Sequence, residues 1–421
     1  MVGWARVWAL VGVVLVALAT GCDAGDGTGG PAGGDRAAVQ RVLDRRASAV
    51  TERNPGGFLA AADPRADGFR THQRQVFRNL ADVPIDEWGY RITRTHDLPP
   101  VTGEDRRLAV EARLRYRIKG YDTAPVDVPQ RLTAVERDGR WYLAAESSRS
   151  PDGTAPARQL WEQGAVTAVK GDRALVLGAG QDAGRLREIA RTAGRAVPAA
   201  DAAWRGPWAR RVVVLVPPSL NGMGELLGAP AAGYRAIAAV TTGEAGGSGK
   251  APADRVIVNP EAYGGLSPFG RQVVLTHETT HVATRASTSP TTPLWLSEGF
   301  ADWAAYRGTG RAPREVAPEL GRAAATGQLA DHLRRLPADE DFGFTGGGDR
   351  LATAYESSWL ACRMIAAEWG EERLRELYRT ARDTPADQAL RKVLGLSPEE
   401  FTERWRAYAE RELGARLAPA P

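Results

Sequence analysis

A short motif, HETTH at residues 277–281, sets the strongest condition on how this 421-residue chain folds. In a helix, His277 and His281 lie one turn apart on the same face, so both imidazoles can reach one metal ion. Glu278 is rotated by about 100° from His277, so it lies beside such an ion without binding it. Zn²⁺ accepts neutral imidazole nitrogen, and a carboxylate in this position can act as a general base. The motif therefore predicts a helix that carries a zinc site.

The segment WLSEGFAD, residues 295–302, offers a third metal ligand. Catalytic zinc uses three protein ligands and leaves a fourth position open. The helical pattern of this segment places Glu298 and Asp302 on one side and its apolar residues on the other. Pro290 and Pro293 interrupt the chain between the two helices. They predict a turn that lets the helices pack antiparallel.

A HExxH helix followed by a helix with WLSEGFA resembles the gluzincin metallopeptidases, the group that contains thermolysin, aminopeptidase N and the peptidase MA-like domains. The similarity covers roughly residues 200–415. It implies one Zn²⁺, held by the residues that match the family's ligands, His277, His281 and Glu298. It also implies Glu278 as the general base and Asp302 as the acceptor that orients a ligating histidine. The spacer between the second histidine and the glutamate has sixteen residues, fewer than in the best-known members, and the shortening falls in a Ser/Thr/Pro loop.

The resemblance extends to a donor for the oxyanion that forms when a peptide bond is attacked. Tyr355 lies in the segment AYESS, which resembles the Tyr-Glu-Lys-Gly segment of aminopeptidase-like enzymes, although Ser replaces both Lys and Gly. In those enzymes the tyrosine is the donor. Tyr355 also begins a stripe of residues at helical spacing, so packing is a second interpretation. His332 is the alternative donor.

Substrate binding in that family uses an edge strand beside the zinc helix. The segment DRVIVN, residues 254–259, lies immediately upstream and is the predicted edge strand. The aminopeptidase signature GAMEN, whose Glu captures a free amine, is absent, and NGMGE at residues 221–225 has similar letters in another order. An aminopeptidase is therefore not predicted.

The first residues of the chain predict export and a lipid anchor. Arg6 precedes an apolar run of twelve residues, 7–18. This run is too short to span, as a helix, a bilayer core of about 30 Å. Small residues before Cys22 resemble the bacterial lipobox, in which that Cys is acylated. A plain secretory signal is the alternative. We predict a signal peptide over residues 1–21 and a flexible Gly-rich tether over residues 22–35, which would place the mature protein on the extracytoplasmic face of the membrane.

The remaining sequence predicts two α+β domains. Residues 36–150 combine a helical start, a strictly alternating strand at 110–118 and a hairpin signal at Asp138-Gly139, which together resemble the NTF2-like domains, cones with a pocket. The polar segment 147–157 is the predicted linker. Residues 158–415 form the predicted metallopeptidase domain, with a β-rich half followed by a helical half.

Charge and cysteine content exclude other classes. The chain has 55 basic and 51 acidic residues, and they are interleaved as on solvated helix faces, so no nucleic-acid partner is predicted. Cys22 and Cys362 are the only cysteines, which excludes a disulfide framework and predicts a free core thiol at Cys362.

These features predict a lipid-anchored zinc peptidase that hydrolyses peptides or proteins by a metal-activated water, with Glu278 as general base. A second hypothesis is a catalytically inactive metallopeptidase fold that acts as a binding or cell-envelope module, with the NTF2-like domain holding a ligand. The intact Glu278 favours the enzyme, because a scaffold needs no base beside two metal ligands. Zinc-dependent hydrolysis of a non-peptide amide or ester is a third hypothesis, since the water chemistry is the same.

Overall fold

The computed structural model describes residues 31–99, 101, 106–146, 158–242, 254–343 and 348–414. The predicted signal peptide, Cys22 and the predicted linker at 147–157 lie outside the described residues. Export, lipidation and the domain boundaries therefore stay predictions. Within the described residues, no helix has the length and apolar character needed to cross a membrane.

Residues 31–146, called the N-terminal unit below, contain three helices and an antiparallel sheet in the order β1-β2-β3-β4. Its elements are α1 Pro31–Thr51, α2 Pro55–Ala60, α3 Asp67–Asn79, β1 Ile85–Leu98, β2 Arg106–Ile118, β3 Val126–Arg137 and β4 Arg140–Glu146. The alternation predicted along 110–118 is confirmed, because every second residue of β2 is buried. The predicted hairpin between β3 and β4 is also confirmed. Asp138 and Gly139 have φ of 51° and 73°. A two-residue type I′ hairpin turn requires a positive φ at both of its central residues.

The first helix begins earlier than the sequence predicts. The described part of α1 already includes residues 31–35 of the predicted tether, which are helical in the structure. The Gly-rich composition hid this helical segment, since Gly33 and Gly34 are weak helix formers that the following residues outweigh.

The second part of the chain begins with a five-stranded sheet in the order β5-β6-β7-β9-β8. Its first elements are α4 Leu160–Gln163, β5 Val166–Lys170, β6 Ala174–Ala179, α5 Ala183–Trp204, β7 Val212–Val216, α6 Leu220–Leu227, β8 Ala239–Thr242 and β9 Arg255–Val258. The central strands β6, β7 and β9 are parallel, and β5 and β8 pair antiparallel at the two edges.

The predicted edge strand is wrong. The segment DRVIVN forms β9, which lies inside the sheet between β7 and β8, and β8 is the edge strand beside the HETTH helix. All four residues of β9 are buried, as expected of a strand covered on both faces. An apolar run of four residues does not distinguish a central strand from an edge strand, because strand order depends on pairing with distant segments.

Helices follow the sheet to the end of the described chain, so the second part is β-rich first and helical afterwards, in an α+β arrangement. These helices are α7 Pro260–Gly264, α8 Pro268–Thr284, α9 Leu294–Tyr306, α10 Pro313–Val316, α11 Pro318–Ala325, α12 Leu329–His332, α13 Gly348–Glu368, α14 Glu371–Thr380, α15 Ala386–Leu394 and α16 Pro398–Leu413. The buried Trp295, Phe300, Trp359 and Trp405 belong to their common core.

The five-stranded sheet is apolar on both faces, and each face has a different cover. Val176, Val214 and Val256 pack with residues of α5 and α8. Leu177, Leu215 and other residues of the opposite face form one continuous hydrophobic cluster with Trp88, Tyr116 and further residues of the N-terminal unit. A sheet of mainly parallel strands requires cover on both sides. The N-terminal unit therefore supplies one layer of the second part's core.

Trp161 of α4 marks where the two parts meet. Its ring centroid lies 5.4 Å from that of Trp88 and 5.1 Å from that of Tyr116, both in the sheet of the N-terminal unit. Its carbonyl oxygen accepts a hydrogen bond of 2.7 Å from the side-chain amide of Asn79. Residues of the second part thus occupy the apolar interior of the N-terminal unit. The NTF2-like resemblance of that unit stays a prediction.

Candidate metal centre

The HETTH motif lies in the second half of α8, as the spacing predicts. The hydroxyl of Ser267 caps the first turn by accepting a hydrogen bond from the Gly270 amide, and Pro268 occupies the first helical position. α8 packs against α5, α9 and β8, so nearly every residue from 273 to 284 is buried. A helix enclosed on all sides holds its side chains in fixed positions, which a metal site requires.

Three atoms converge between α8 and α9. His277 Nε2 lies 2.9 Å from His281 Nε2 and 3.2 Å from Glu298 Oε2, and His281 Nε2 lies 3.4 Å from the same carboxylate oxygen. Zinc–ligand bonds of about 2.0–2.1 Å arranged as a tetrahedron give edges of about 3.3–3.4 Å. Two of the three separations are close to such an edge, and the separation between the two imidazole nitrogens is shorter. These are the residues of the described chain whose ligand atoms group closely enough to hold a metal ion.

The chemistry of the three groups also fits zinc. Two imidazoles and one carboxylate are ordinary zinc ligands, and all three side chains are buried. Burial raises the pKa of Glu298, but the two histidines outweigh it and lower that pKa to about 2. Its second oxygen, Oε1, is buried and has no hydrogen-bond partner among the described residues. A buried carboxylate of this kind needs a positive charge nearby, which either a bound metal ion or a protonated histidine supplies.

Asp302 lies where the resemblance implies. Its Oδ1 is 2.8 Å from His277 Nδ1. The Nδ1–H group therefore donates a hydrogen bond to the carboxylate, and Nε2 is the ring nitrogen that faces the site. Burial lowers the pKa of His277, but Asp302 and Glu298 outweigh it and raise that pKa to about 10 in the metal-free protein. A metal ion must therefore displace a proton from His277.

Glu278 lies beside the three ligand atoms and is fully buried. Its Oε2 accepts a hydrogen bond of 2.6 Å from the Thr241 hydroxyl, and its Oε1 has no partner among the described residues. Burial raises the pKa of the Glu278 carboxyl, and the charges of His277 and His281 oppose that rise. Sequence reasoning missed Thr241; the only signal was a polar residue at the end of the apolar run AIAAV.

Tyr355 lies next to the cluster, on α13. Its ring centroid is 6.4 Å from that of His277 and 5.4 Å from that of Phe342, which it meets edge-on. Burial, together with the charges of Glu298, Asp302 and Glu278, raises the pKa of its hydroxyl well above the ordinary value. The hydroxyl therefore keeps its proton and can donate it. The ring belongs to the core, as the packing interpretation expects, and the donor role stays a prediction.

The other three histidines of the sequence lie outside the cluster. His332, the alternative donor, is exposed at the end of α12, and His72 and His96 are exposed on the N-terminal unit.

Glu356, the neighbour of Tyr355, has a structural role that the sequence did not indicate. Its two carboxylate oxygens accept hydrogen bonds of 3.1 Å and 2.8 Å from the Glu319 and Leu320 amides. These amides belong to the first turn of α11, so Glu356 caps that helix from outside.

Comparisons with known proteins return structures only. No protein-family model matches this sequence, and no curated protein sequence matches it. A crystal structure of an M1 zinc metallopeptidase from Deinococcus radiodurans is similar at 17% identity and a TM-score of 0.32, over 79% of this chain and 62% of that one. A mutant of that enzyme bound to the substrate Tyr-Ser-Ala gives 16% identity and a TM-score of 0.32, over 68% of this chain and 60% of the other. The chain spans about three fifths of the length of these proteins, and TM-scores of this size do not establish a shared fold.

Proposed function

We propose that this protein is a zinc-dependent peptidase that binds one Zn²⁺ through His277, His281 and Glu298. The observation that carries the proposal is the separation of the three ligand atoms, 2.9 Å, 3.2 Å and 3.4 Å, beside a buried carboxylate that is not one of them. A purely structural zinc site normally has four protein ligands, whereas a catalytic site has three and an open position. The described residues supply three.

The surrounding side chains support hydrolysis. Zinc held here supplies Lewis acidity to the attacking water and to the scissile carbonyl. The Oε1 of Glu278, which has no hydrogen-bond partner among the described residues, would accept the proton of that water. The hydroxyl of Tyr355 donates a hydrogen bond to the oxygen on which negative charge develops. Asp302 keeps the His277 ring in the required tautomer.

The edge strand β8 supports a peptide as the substrate. Within the described residues β8 pairs only with β9, so its outer edge leaves backbone groups unpaired. An extended peptide adds to such an edge through main-chain hydrogen bonds. β8 also packs against α8, which carries Glu278, so a peptide bound there runs past the base.

The test combines metal analysis with digestion of a peptide library. The wild-type protein is expected to contain one zinc per chain and to cleave peptides. Glu278→Gln keeps the three ligands and should keep the zinc, but cleavage should fall by roughly 10²–10⁴-fold, the range for loss of a general base. Glu298→Ala should lose most of the zinc and retain its helical content. Cleavage without zinc would refute the proposal. Zinc without cleavage by the wild type would favour the binding or cell-envelope module.

We also propose that the protein is exported and anchored by lipid on Cys22. The support is the sequence alone, a short apolar run and small residues before this cysteine. Cys22→Ala should move the protein from the membrane fraction to the soluble extracytoplasmic fraction. If the variant is still processed and remains fully attached to the membrane, the lipid anchor is excluded.

A further inference from the structure

A threonine of β8 lies next to the apolar cluster between the sheet and α8. In β8, Val240 points to the cluster shared with the N-terminal unit, and Ala239 points to the opposite cluster under α8. Thr241 follows in the strand and its side chain reaches α8, with 2% of its surface exposed. Valine has the same shape and can be buried at a lower cost in free energy, because a buried hydroxyl needs a hydrogen-bond partner.

The partner of Thr241 is Glu278. The hydroxyl oxygen lies 2.6 Å from Glu278 Oε2 and 3.0 Å from the carbonyl oxygen of the same residue. A hydroxyl has one proton to donate, and the shorter contact is to the carboxylate, where the hydrogen bond is charge-assisted. A residue of the sheet therefore holds one oxygen of Glu278 by a hydrogen bond. The other oxygen, Oε1, has no hydrogen-bond partner among the described residues.

We propose that Thr241 is a positioning residue that holds the Glu278 carboxylate in one rotation and so presents Oε1 to the reacting water. The inference rests on the proposed peptidase function, which it deepens by assigning a residue outside the metal-binding helices. The terminal torsion of a glutamate is soft, so packing around the stem does not set the direction of its two oxygens. A hydrogen bond to one oxygen does set that direction.

The strand that carries Thr241 is itself well fixed. Thr242 lies opposite Arg255 in β9, and its hydroxyl accepts a hydrogen bond of 3.1 Å from the Arg255 amide. The guanidinium of Arg255 forms two hydrogen bonds, of 2.7 Å and 2.8 Å, with the carboxylate of Asp122 in the N-terminal unit. The hydroxyl that holds Glu278 therefore belongs to a sheet that two layers clamp, which is the kind of support that precise positioning needs.

The first test compares Thr241→Val with Thr241→Ser on a peptide that the wild type cleaves. Valine keeps the shape and removes the hydroxyl, whereas serine keeps the hydroxyl. Thr241→Val is expected to lower kcat by roughly 10–100-fold, the loss of one hydrogen bond to a charged group, with KM and zinc content unchanged. Thr241→Ser should recover most of kcat. Thr192→Val removes a buried hydroxyl from α5, bonded to the Glu188 carbonyl, and is the matched control. Wild-type kcat in Thr241→Val would overturn the proposal.

The second test needs no activity and uses the metal-free protein. Urea unfolding is measured for the wild type, Thr241→Val, Glu278→Ala and the double variant, which form a double-mutant cycle. Thr241→Val should shift the urea midpoint when it is made in the wild type. When it is made in Glu278→Ala, the shift should vanish or change sign. No coupling between the two positions would overturn the proposal even if the enzyme is active. Coupling in a protein that cleaves no peptide would support the hydrogen bond and refute the proposed peptidase function instead.

Discussion

At the site, a proton and a metal ion compete for the same nitrogen of His277. The carboxylates of Asp302 and Glu298 lie next to the His277 ring and favour a positive charge there. They therefore favour a metal ion at Nε2 and, when no metal is bound, a proton on the ring. The buried cluster therefore contains compensating charges in either state. The chemistry that a single residue contributes here depends on its neighbours in the cluster more than on its own type.

This competition predicts how zinc affinity depends on pH. The pKa of His277 is raised to about 10 in the metal-free protein, so at neutral pH zinc must displace its proton. Affinity should rise with pH up to that value, by up to about tenfold per unit, and fall as pH falls. Competition titrations against a chelator from about pH 6.5 to 9 measure this slope. Asp302→Asn removes the charge that raises the pKa of His277 most. The slope of zinc affinity against pH should therefore be shallower in this variant. A wild-type affinity independent of pH would contradict the prediction.

Tyr355 allows the packing and donor roles to be separated. Tyr355→Phe keeps the ring against Phe342 and removes only the hydroxyl. The value of kcat should therefore fall by roughly 10²–10³-fold with little change in KM. The free energy of unfolding should change by far less than the roughly 3–5 kcal/mol of losing a buried aromatic ring. His332→Ala, at an exposed position, is the control and should cleave normally. A wild-type rate for Tyr355→Phe would remove the hydroxyl from the mechanism.

Among the elements, the contact between α9 and α13 brings Glu298 and Tyr355 together. Gly299 permits it: a Cβ on this residue would lie 2.4 Å from the Ser358 carbonyl oxygen and 2.9 Å from Cys362 Sγ. Cys362 is a free, buried thiol, as the sequence predicts. The helices therefore approach more closely than side chains at this point would allow. The spacing between the third predicted ligand and the predicted donor depends on this one glycine.

Gly299→Ala should push the two helices apart. The nearest atoms belong to the backbone of α13, which cannot turn aside. We therefore expect a loss of about 1–3 kcal/mol in the free energy of unfolding and a lower zinc affinity. Urea unfolding and zinc titration measure the two effects. Gly194→Ala in α5 is the matched control, because no atom lies within 4 Å of its Cβ and alanine favours a helix interior. Equal stability of the two variants would show that the contact is not tight.

For the whole molecule, the hydrophobic cluster shared between the N-terminal unit and the five-stranded sheet predicts that the two parts unfold as one unit. Besides the apolar contact, Asp122 and Arg255 form a buried ion pair across it, in which both side chains are at most 6% exposed. The N-terminal unit is therefore part of the scaffold of the site, because Arg255 lies in the strand beside Thr241. Trp161 packs against Trp88 and Tyr116 of this unit, and a separate ligand-binding role for the unit stays a prediction.

Asp122→Ala tests this coupling. It leaves the Arg255 guanidinium buried without its carboxylate. Breaking a buried pair in this way costs about 3–5 kcal/mol. The loss should appear as a single unfolding transition at lower urea concentration. The control is Glu376→Ala, whose pair with Arg373 is exposed and worth less than about 1 kcal/mol. Two separate transitions, with only the first one shifted, would show that the two parts unfold independently.

The sequence alone determined the features that depend on neighbours along the chain. HETTH defines a helix face because the helical period brings residues four apart together, and the same rule joins Glu298 to Asp302. The alternation along 110–118 and the turn at Asp138-Gly139 are equally local. Only the tertiary structure decided that β8 and not β9 lies at the edge, that Thr241 holds Glu278, and that the N-terminal unit covers the sheet. Each of these joins segments that are distant in the chain, and a short apolar run contains no record of which distant segment it pairs with.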